Sequence, residues 1–188
     1  APITALASFC SFHRVFMMIL TKGGEGGDQE TRAKEQNDAK AVIGAEDIFW
    51  GEYRDTRLFP NKGLINDVEA VIERVRPGFI FTHFPDDTHQ DHRHLAQATI
   101  SATRYIRNVL FFEGPTTQNF MPQVYVDISE TLDRKVDALE AHFSQIGKTN
   151  IEDMNIVELS RSTANFRGIQ GRVKYAEAFA SLRLFINI

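Results

Sequence analysis

The stretch Phe79–Arg93, which reads FIFTHFPDDTHQDHR, joins a short apolar run to a dense group of histidines and aspartates. The apolar run predicts a strand, and the polar residues predict the loop that follows it. A strand that ends in such a loop is a common way for α/β enzymes to present reactive side chains. The loop is therefore the candidate functional site. Its polar members are His83, Asp86, Asp87, His89, Asp91 and His92.

The segments around this stretch alternate between strand and helix patterns. Val15–Leu20 is a continuous apolar run followed by glycines, which indicates a buried parallel strand. The order predicts one domain over residues 1–188, with an α/β fold that resembles a Rossmann-like three-layer sandwich and has a mostly parallel sheet. Strands are predicted at 15–20, 47–50, 79–82, 109–112, 124–128 and 182–186; helices at 1–12, 28–43, 61–76, 91–107, 129–146 and 151–180, the last broken near 166–168.

Composition excludes several classes of protein. The net charge is −4 and no long basic run occurs, which argues against a nucleic-acid-binding surface. The longest apolar run, Val15–Leu20, is too short to span a bilayer. Cys10 is the single cysteine, so the chain can form neither an internal disulfide nor a cysteine-based zinc site, and a free thiol in a reducing cytoplasm is expected.

His89, Asp91 and His92 form the part of the loop that best fits metal chemistry. Catalytic zinc sites use neutral imidazoles and carboxylates, usually three from the protein. His89 and His92 are three residues apart where loop becomes helix, so both rings can face one cavity. Asp91 lies between them and can orient either ring. The alternative is a solvated turn whose Asp and Thr cap the next helix; the position after a buried strand favours the functional interpretation.

Other polar residues near predicted strand ends receive simpler interpretations. His83 caps the end of its strand, and His94 points away from His92 toward the surface. Asp87 is either a helper of the histidines or part of a turn with Thr88. Arg32 and Glu35 share a helix face, which indicates a surface ion pair, while the alternative is an arginine that reaches a substrate anion.

Asp87–Arg93, read DTHQDHR, resembles the second signature of the PIG-L/LmbE-like deacetylases. These zinc-dependent enzymes remove N-acetyl groups from glucosamine conjugates and related compounds. The resemblance spans nearly the whole chain. It includes the strand 15–20 with its glycine loop TKGGEG at 21–26, the R-x-x-E pair Arg32 and Glu35, YRDTRL at 53–58 and VKYAEAF at 173–179.

The resemblance implies a role for each matching residue. His92 would be a zinc ligand, and His89 would stabilise the tetrahedral oxyanion or protonate the leaving amine. Asp91 would orient His89 and tune its charge. Arg32 would contact the substrate, and Asp55 would lie in the substrate pocket. The implied activity is a zinc-dependent hydrolase that removes an N-acetyl group from an amino-sugar conjugate or similar small molecule, with Zn²⁺ as cofactor.

The sequence departs from the family at one motif. Family members bind zinc through a His and an Asp of an N-terminal HPDD segment plus the later His, and the second Asp of HPDD is the usual general base. No HPDD precedes the strand at Val15. We therefore expect the family's first strand, two zinc ligands and the base to be absent from this chain.

Two expectations follow, namely a truncated form of an active deacetylase or a degenerate homologue that binds without catalysis. The absence of an initial Met favours the first. A metallo-β-lactamase-like hydrolase is a weaker alternative, because Asp87 stands where its HxHxDH motif needs a histidine. The expected location is the cytoplasm and the expected partner is a small N-acetylated substrate, while a homo-oligomer is an expectation from the family.

Overall fold

A computed structural model describes residues 13–149 and 151–186 of the chain. Helices and strands alternate along these residues, so the predicted α/β class is confirmed. Contacts divide the chain into two compact units. Among the described residues, the first unit contains 55–124 and 178–186, and the second contains 13–54, 125–149 and 151–177.

Five helices and six strands make up the described residues. The helix predicted at 1–12 lies outside the described residues. So does the start of the chain, where the family's first strand is expected to be absent. No helix among the described residues combines the length and apolarity that a bilayer span requires. The strands are β1 (Phe16–Thr21), β2 (Asp47–Tyr53), β3 (Ile80–His83), β4 (Val109–Phe112), β5 (Val124–Asp127) and β6 (Ala176–Arg183); the helices are α1 (Gln29–Ile43), α2 (Lys62–Val75), α3 (Gln90–Ala102), α4 (Leu132–Glu140) and α5 (Ile156–Gly171).

The strands form a two-stranded sheet, β1-β2, and a four-stranded sheet with the order β3-β4-β6-β5. β1 runs parallel to β2, and β3 runs parallel to β4, whereas β4 and β6 are antiparallel. The prediction of a mostly parallel sheet therefore fits the observed strand directions only loosely. In the first unit β4 is buried at all four positions, as expected for a strand with neighbours on both sides.

Helix α2 packs against α3 in the first unit because its apolar residues repeat at helical spacing. Leu64 and Val68 are buried on that face. Asn61 caps the helix by accepting a hydrogen bond from the N–H of Leu64, and Arg76 ends it in the left-handed region just before Pro77.

The second unit has its own apolar cluster between the β1-β2 sheet and its helices. Asp28 caps α1 by accepting the N–H of Thr31, and Gly44 ends the helix with φ of 78°, in agreement with the helix predicted at 28–43. The cluster consists of Val15, Met17, Ala39, Ile43, Ala45, Ile48 and Ala138.

Three predicted elements in the carboxyl-terminal part of the chain differ from the structure: the helices at 129–146 and 151–180 and the strand at 182–186. The predicted helix at 129–146 is shorter, because α4 ends at Glu140 and a separate 3₁₀ turn follows at Phe143–Gln145. The helix predicted over 151–180 continues unbroken through residues 166–168, and residues 176–183 form β6 rather than a helix. The terminal strand therefore starts six residues before the predicted position and ends at Arg183.

Both errors at α5 have a physical cause. Gly168 is a packing residue rather than a helix breaker, since a Cβ there would lie 2.6 Å from the carbonyl oxygen of Lys174. The following Ala176–Ala180 segment is buried at five consecutive positions. A segment that is buried at every position has no period in its burial, so the pattern cannot separate strand from helix.

Replacing Gly168 with Ala tests this packing. An Ala in a helix normally stabilises a protein by about 0.4–1 kcal/mol relative to Gly. Here the added methyl meets a backbone carbonyl, so we expect the free energy of unfolding to fall by about 1–3 kcal/mol. Urea denaturation measures the change. The matched control is Gly147→Ala, where a Cβ would have no atom within 4 Å, and an equal effect in both variants would contradict the packing argument.

Candidate active site

The candidate site lies where β3 ends and α3 begins, within the first unit. Because β3 and β4 are parallel, their carboxyl ends lie at the same edge of the sheet. The two loops that leave this edge pair with each other: the N–H of Thr88 donates to the carbonyl of Thr116, and the N–H of Gln118 donates to that of Asp86. This pairing holds the loop from His83 to His89 in one place.

Asp87 is the buried centre of this loop, with 2% of its surface exposed. Oδ1 accepts the N–H of His89 at 2.8 Å, and Oδ2 accepts the Thr117 hydroxyl at 3.0 Å. The ring Nδ1 of His92 lies 3.2 Å from the same Oδ2. Burial raises the pKa of Asp87, but hydrogen bonding, including that from the N–H of His89, and the adjacent His92 ring outweigh it and hold this pKa below its usual value. Asp87 is therefore a charged hydrogen-bond acceptor, and not only part of a turn with Thr88.

Three imidazole rings stack beside Asp87. The centroids of His83 and His92 are 3.9 Å apart with planes at 10°, and those of His92 and His89 are 4.4 Å apart at 18°. Burial lowers the pKa of His83 well below its usual value, and the neighbouring His92 lowers it further. Burial also lowers the pKa of His92 even though Asp87 opposes this. His83 and His92 are therefore neutral near pH 7, and His83 does more than cap its strand.

The neutral His92 presents one ring nitrogen for further chemistry. Asp87 accepts a hydrogen bond from Nδ1–H, which assigns the proton of the neutral ring to Nδ1 and leaves the lone pair on Nε2. A histidine fixed by a carboxylate on its far nitrogen is the usual arrangement of a metal-ligating histidine.

His89 is held by a different contact. It is the N-cap of α3, and its Nδ1 accepts the backbone N–H of Asp91 at 3.2 Å. Histidine is an unusual N-cap, because Ser, Thr, Asp and Asn dominate that position. With Nδ1 as an acceptor, the proton of a neutral His89 ring lies on Nε2. The ring can therefore donate a hydrogen bond from the nitrogen that points away from the helix backbone.

The carboxylate of Asp91 contacts the loop that contains Asp55 in the same unit. Oδ2 accepts the N–H of Thr56 at 2.8 Å and Oδ1 accepts that of Leu58 at 3.2 Å. It is the backbone of Asp91, and not this carboxylate, that bonds to His89. His94, predicted to lie at the surface, is half-buried and bonds to the carbonyl of Leu58. The structure thus brings His89, His92 and Asp91 together with the Asp55 loop.

Arg32 belongs to the second unit, on α1. Its Nη1 donates to the carbonyl of Gly23 at 2.7 Å, so the arginine holds the glycine loop that follows β1. Glu35 is buried and accepts two hydrogen bonds from Ser144, at 2.7 Å from the N–H and 2.8 Å from the hydroxyl. The surface ion pair of Arg32 with Glu35 that local sequence favours is therefore wrong.

The described residues supply only part of a zinc site. Between residues 13 and 149 and between 151 and 186, no group of three His, Cys, Asp or Glu side chains is arranged to hold a metal ion. His92 fits one ligand position, with Asp87 as its outer partner. The ring of His83 lies almost parallel to that of His92, so its in-plane lone pairs do not converge with Nε2 on one ion. Within the described residues the donor set for zinc is thus incomplete.

Comparisons with known proteins agree with the resemblance in the sequence. A deacetylase of Escherichia coli, YaiS, whose function is uncharacterised, is 30% identical over 68% of this chain and 74% of its own. A probable N-acetyl-alpha-D-glucosaminyl L-malate deacetylase 2 of Bacillus cereus is 29% identical over 74% of this chain and 68% of its own.

A solved structure shares the fold. The N,N'-diacetylchitobiose deacetylase of Pyrococcus horikoshii superimposes with a TM-score of 0.83 at 20% identity, over 96% of this chain and 78% of that one. The family model described as PIG-L, GlcNAc-PI de-N-acetylase, matches residues 6–103, about half of the sequence and the part that contains the loop from His83 to His92. This chain therefore belongs to the PIG-L family.

Proposed function

We propose that the chain acts as a zinc-dependent hydrolase that removes an N-acetyl group from an amino-sugar conjugate. Family membership and the deacetylase names of the relatives support the reaction, and two of those names support an N-acetylated sugar as the substrate class. The observation that carries the proposal is the neutral His92 ring, bonded through Nδ1 to the buried carboxylate of Asp87 and stacked on His89.

His92 would hold the zinc ion through Nε2. When bound, zinc polarises a carbonyl group and lowers the pKa of a water ligand. The described residues do not offer a complete set of the remaining zinc ligands and the general base. Asp87 contributes by fixing the tautomer and the rotation of the His92 ring, so that the lone pair on Nε2 has a defined direction.

His89 would donate a hydrogen bond from Nε2–H to the oxygen on which negative charge develops. The sequence leaves two roles open, stabilising this oxyanion or protonating the leaving amine. The bond from the N–H of Asp91 to Nδ1 favours the first role. Because Nδ1 accepts that bond, Nε2–H is the group left to donate to an oxyanion.

Arg32 and Asp55 remain proposed substrate contacts. Arg32 donates to the carbonyl of Gly23 in the loop that follows β1, and Asp55 accepts the N–H of Thr56. A small N-acetylated molecule as partner, the cytoplasm as location and a homo-oligomeric assembly are part of the same proposal. The family match argues against the metallo-β-lactamase alternative.

Zinc binding provides the first test. We expect His92→Ala to lose the zinc that the purified wild-type protein retains, because a three-ligand site does not survive loss of one histidine. Metal analysis after gel filtration measures the stoichiometry. His142→Gln is the matched control, since it removes an imidazole that is not part of the stack of His83, His92 and His89. Retained zinc in His92→Ala would show that another residue is the ligand. A wild-type protein that holds no zinc and releases no acetate would instead be the degenerate homologue that binds without catalysis.

The role of His89 is tested by two substitutions. We expect His89→Ala to keep zinc and to lose about 10²–10³-fold in kcat, the usual effect of removing an oxyanion donor. His89→Gln retains an N–H donor and should recover part of that loss. Acetate release from an N-acetylglucosaminide measures both rates, with thermal unfolding as a control for the lost N-cap. Equal losses in the two variants would favour proton transfer to the leaving amine instead.

Asp87→Asn tests the link between the buried carboxylate and His92. The amide cannot accept all three hydrogen bonds, so we expect the free energy of unfolding to fall by about 1–3 kcal/mol and zinc affinity to fall by about 10–100-fold. Imidazole ¹⁵N shifts should show the proton of His92 moving from Nδ1 to Nε2. The control is Asp86→Asn, since Asp86 bonds to Asn119. An unchanged His92 tautomer would contradict the proposed role of Asp87.

A further inference from the structure

Asp91 stands in the first turn of α3 and is almost fully buried, with 5% of its surface exposed. A buried carboxylate needs hydrogen-bond donors for both oxygens, because losing water without replacement is costly. Its oxygens accept the backbone N–H groups of Thr56 and Leu58, at 2.8 and 3.2 Å. These two amides lie on one short loop, so a single side chain binds that loop at two points.

A second side chain of α3 binds the same loop. The ring of His94 donates from Nδ1 to the carbonyl of Leu58 at 2.7 Å, and the ring of Phe59 meets it edge-on at 5.9 Å. Asp91 and His94 are three residues apart, which places them on one face of the helix. Leu58 is therefore held at both of its backbone polar groups, the N–H and the carbonyl.

The loop needs this support because Thr56 has an unfavourable backbone conformation. The φ angle of this residue is 62°, in the left-handed region that a β-branched side chain rarely adopts. The surrounding structure must compensate for such a conformation. The N–H of Thr56 points to the carboxylate of Asp91, and it is shared with Oδ1 of Asp55 at 3.1 Å. One amide thus couples the direction of the Asp55 side chain to Asp91.

We infer that Asp91 is a positioning residue that holds the 55–58 loop, and through it Asp55, in the geometry that binds the substrate. Its effect on the reaction is exerted on substrate binding rather than on the His89 ring. The link to substrate rests on the proposed function, whereas the link to the loop rests on the contacts alone. His94 supports the same loop from the next turn of α3.

Amide hydrogen exchange tests the contact with the loop directly. In Asp91→Asn the amide group offers one acceptor oxygen instead of two and places N–H donors against a backbone N–H. We expect the amides of Thr56 and Leu58 to exchange at least about tenfold faster than in the wild type. Asp86→Asn is the matched control, and its Thr56 and Leu58 amides should exchange as in the wild type. Unchanged protection in Asp91→Asn would overturn the inference.

Kinetics separate the positioning role from an action on His89. We expect Asp91→Asn to raise KM for an N-acetylglucosaminide about tenfold while kcat changes by less than about threefold. His94→Phe removes the second contact while keeping a ring against Phe59, so it should raise KM in the same direction by less. It also provides the test if Asp91→Asn does not fold.

The opposite kinetic pattern would overturn the inference. A fall of kcat by more than about 10²-fold with unchanged KM and protected amides would show that Asp91 acts on His89. Failure of the proposed function is distinguishable from this. A wild-type protein that releases no acetate would refute the deacetylase, while hydrogen exchange at Thr56 and Leu58 still decides whether Asp91 holds the loop.

Discussion

The buried carboxylate of Asp87 determines where the reactive side chains of this chain can lie. A charge that has lost its water must be surrounded by donors, and leaving one of them out is costly. The donors come from three places in sequence: the N–H of His89 in the same loop, the Thr117 hydroxyl in the loop after β4, and the ring of His92 on α3. Satisfying one carboxylate therefore fixes two loops and the start of a helix together.

The two aspartates of the motif have different surroundings although they are only four residues apart. Asp87 precedes α3 and faces the histidine stack, whereas Asp91 lies within the first turn and faces the 55–58 loop. A helix begins between them, and the change from extended to helical backbone turns the second side chain toward a different neighbour. An acidic residue in the first turn also interacts favourably with the helix dipole, so Asp91 suits this place electrostatically.

The stack of His83, His92 and His89 depends on neutrality. Three charged imidazoles at centroid distances of 3.9 and 4.4 Å would repel one another strongly. Burial prevents this by lowering the pKa of His83 and His92. The burial that keeps the rings neutral also preserves the lone pairs that a metal ligand requires. The stability of this stack and its suitability for metal chemistry thus have the same origin.

Sequence patterns predicted most of the fold because each pattern had a local physical basis. The caps Asp28 and Gly44 bounded α1, and an apolar stripe with Pro77 behind it bounded α2. Prediction failed from residue 129 onward. There the pattern predicts a break at Gly168, which instead packs against the carbonyl of Lys174, and a helix over Ala176–Ala180, which is a buried strand. The Gly168 contact depends on the chain folding back onto the helix after Gly171, and β6 depends on pairing with the distant β4, so local composition encodes neither.

For the site, the sequence by itself indicated the family and the strand that leads into the loop, and it predicted roles for His89, Asp91 and His92. Residue types and their spacing are sufficient for that, because metal and proton chemistry require particular side chains. Only the tertiary structure decided which carboxylate faces which ring. Asp87 holds His92 and Asp91 holds the Thr56 and Leu58 amides, since hydrogen bonds follow distances in space that spacing along the chain does not reveal.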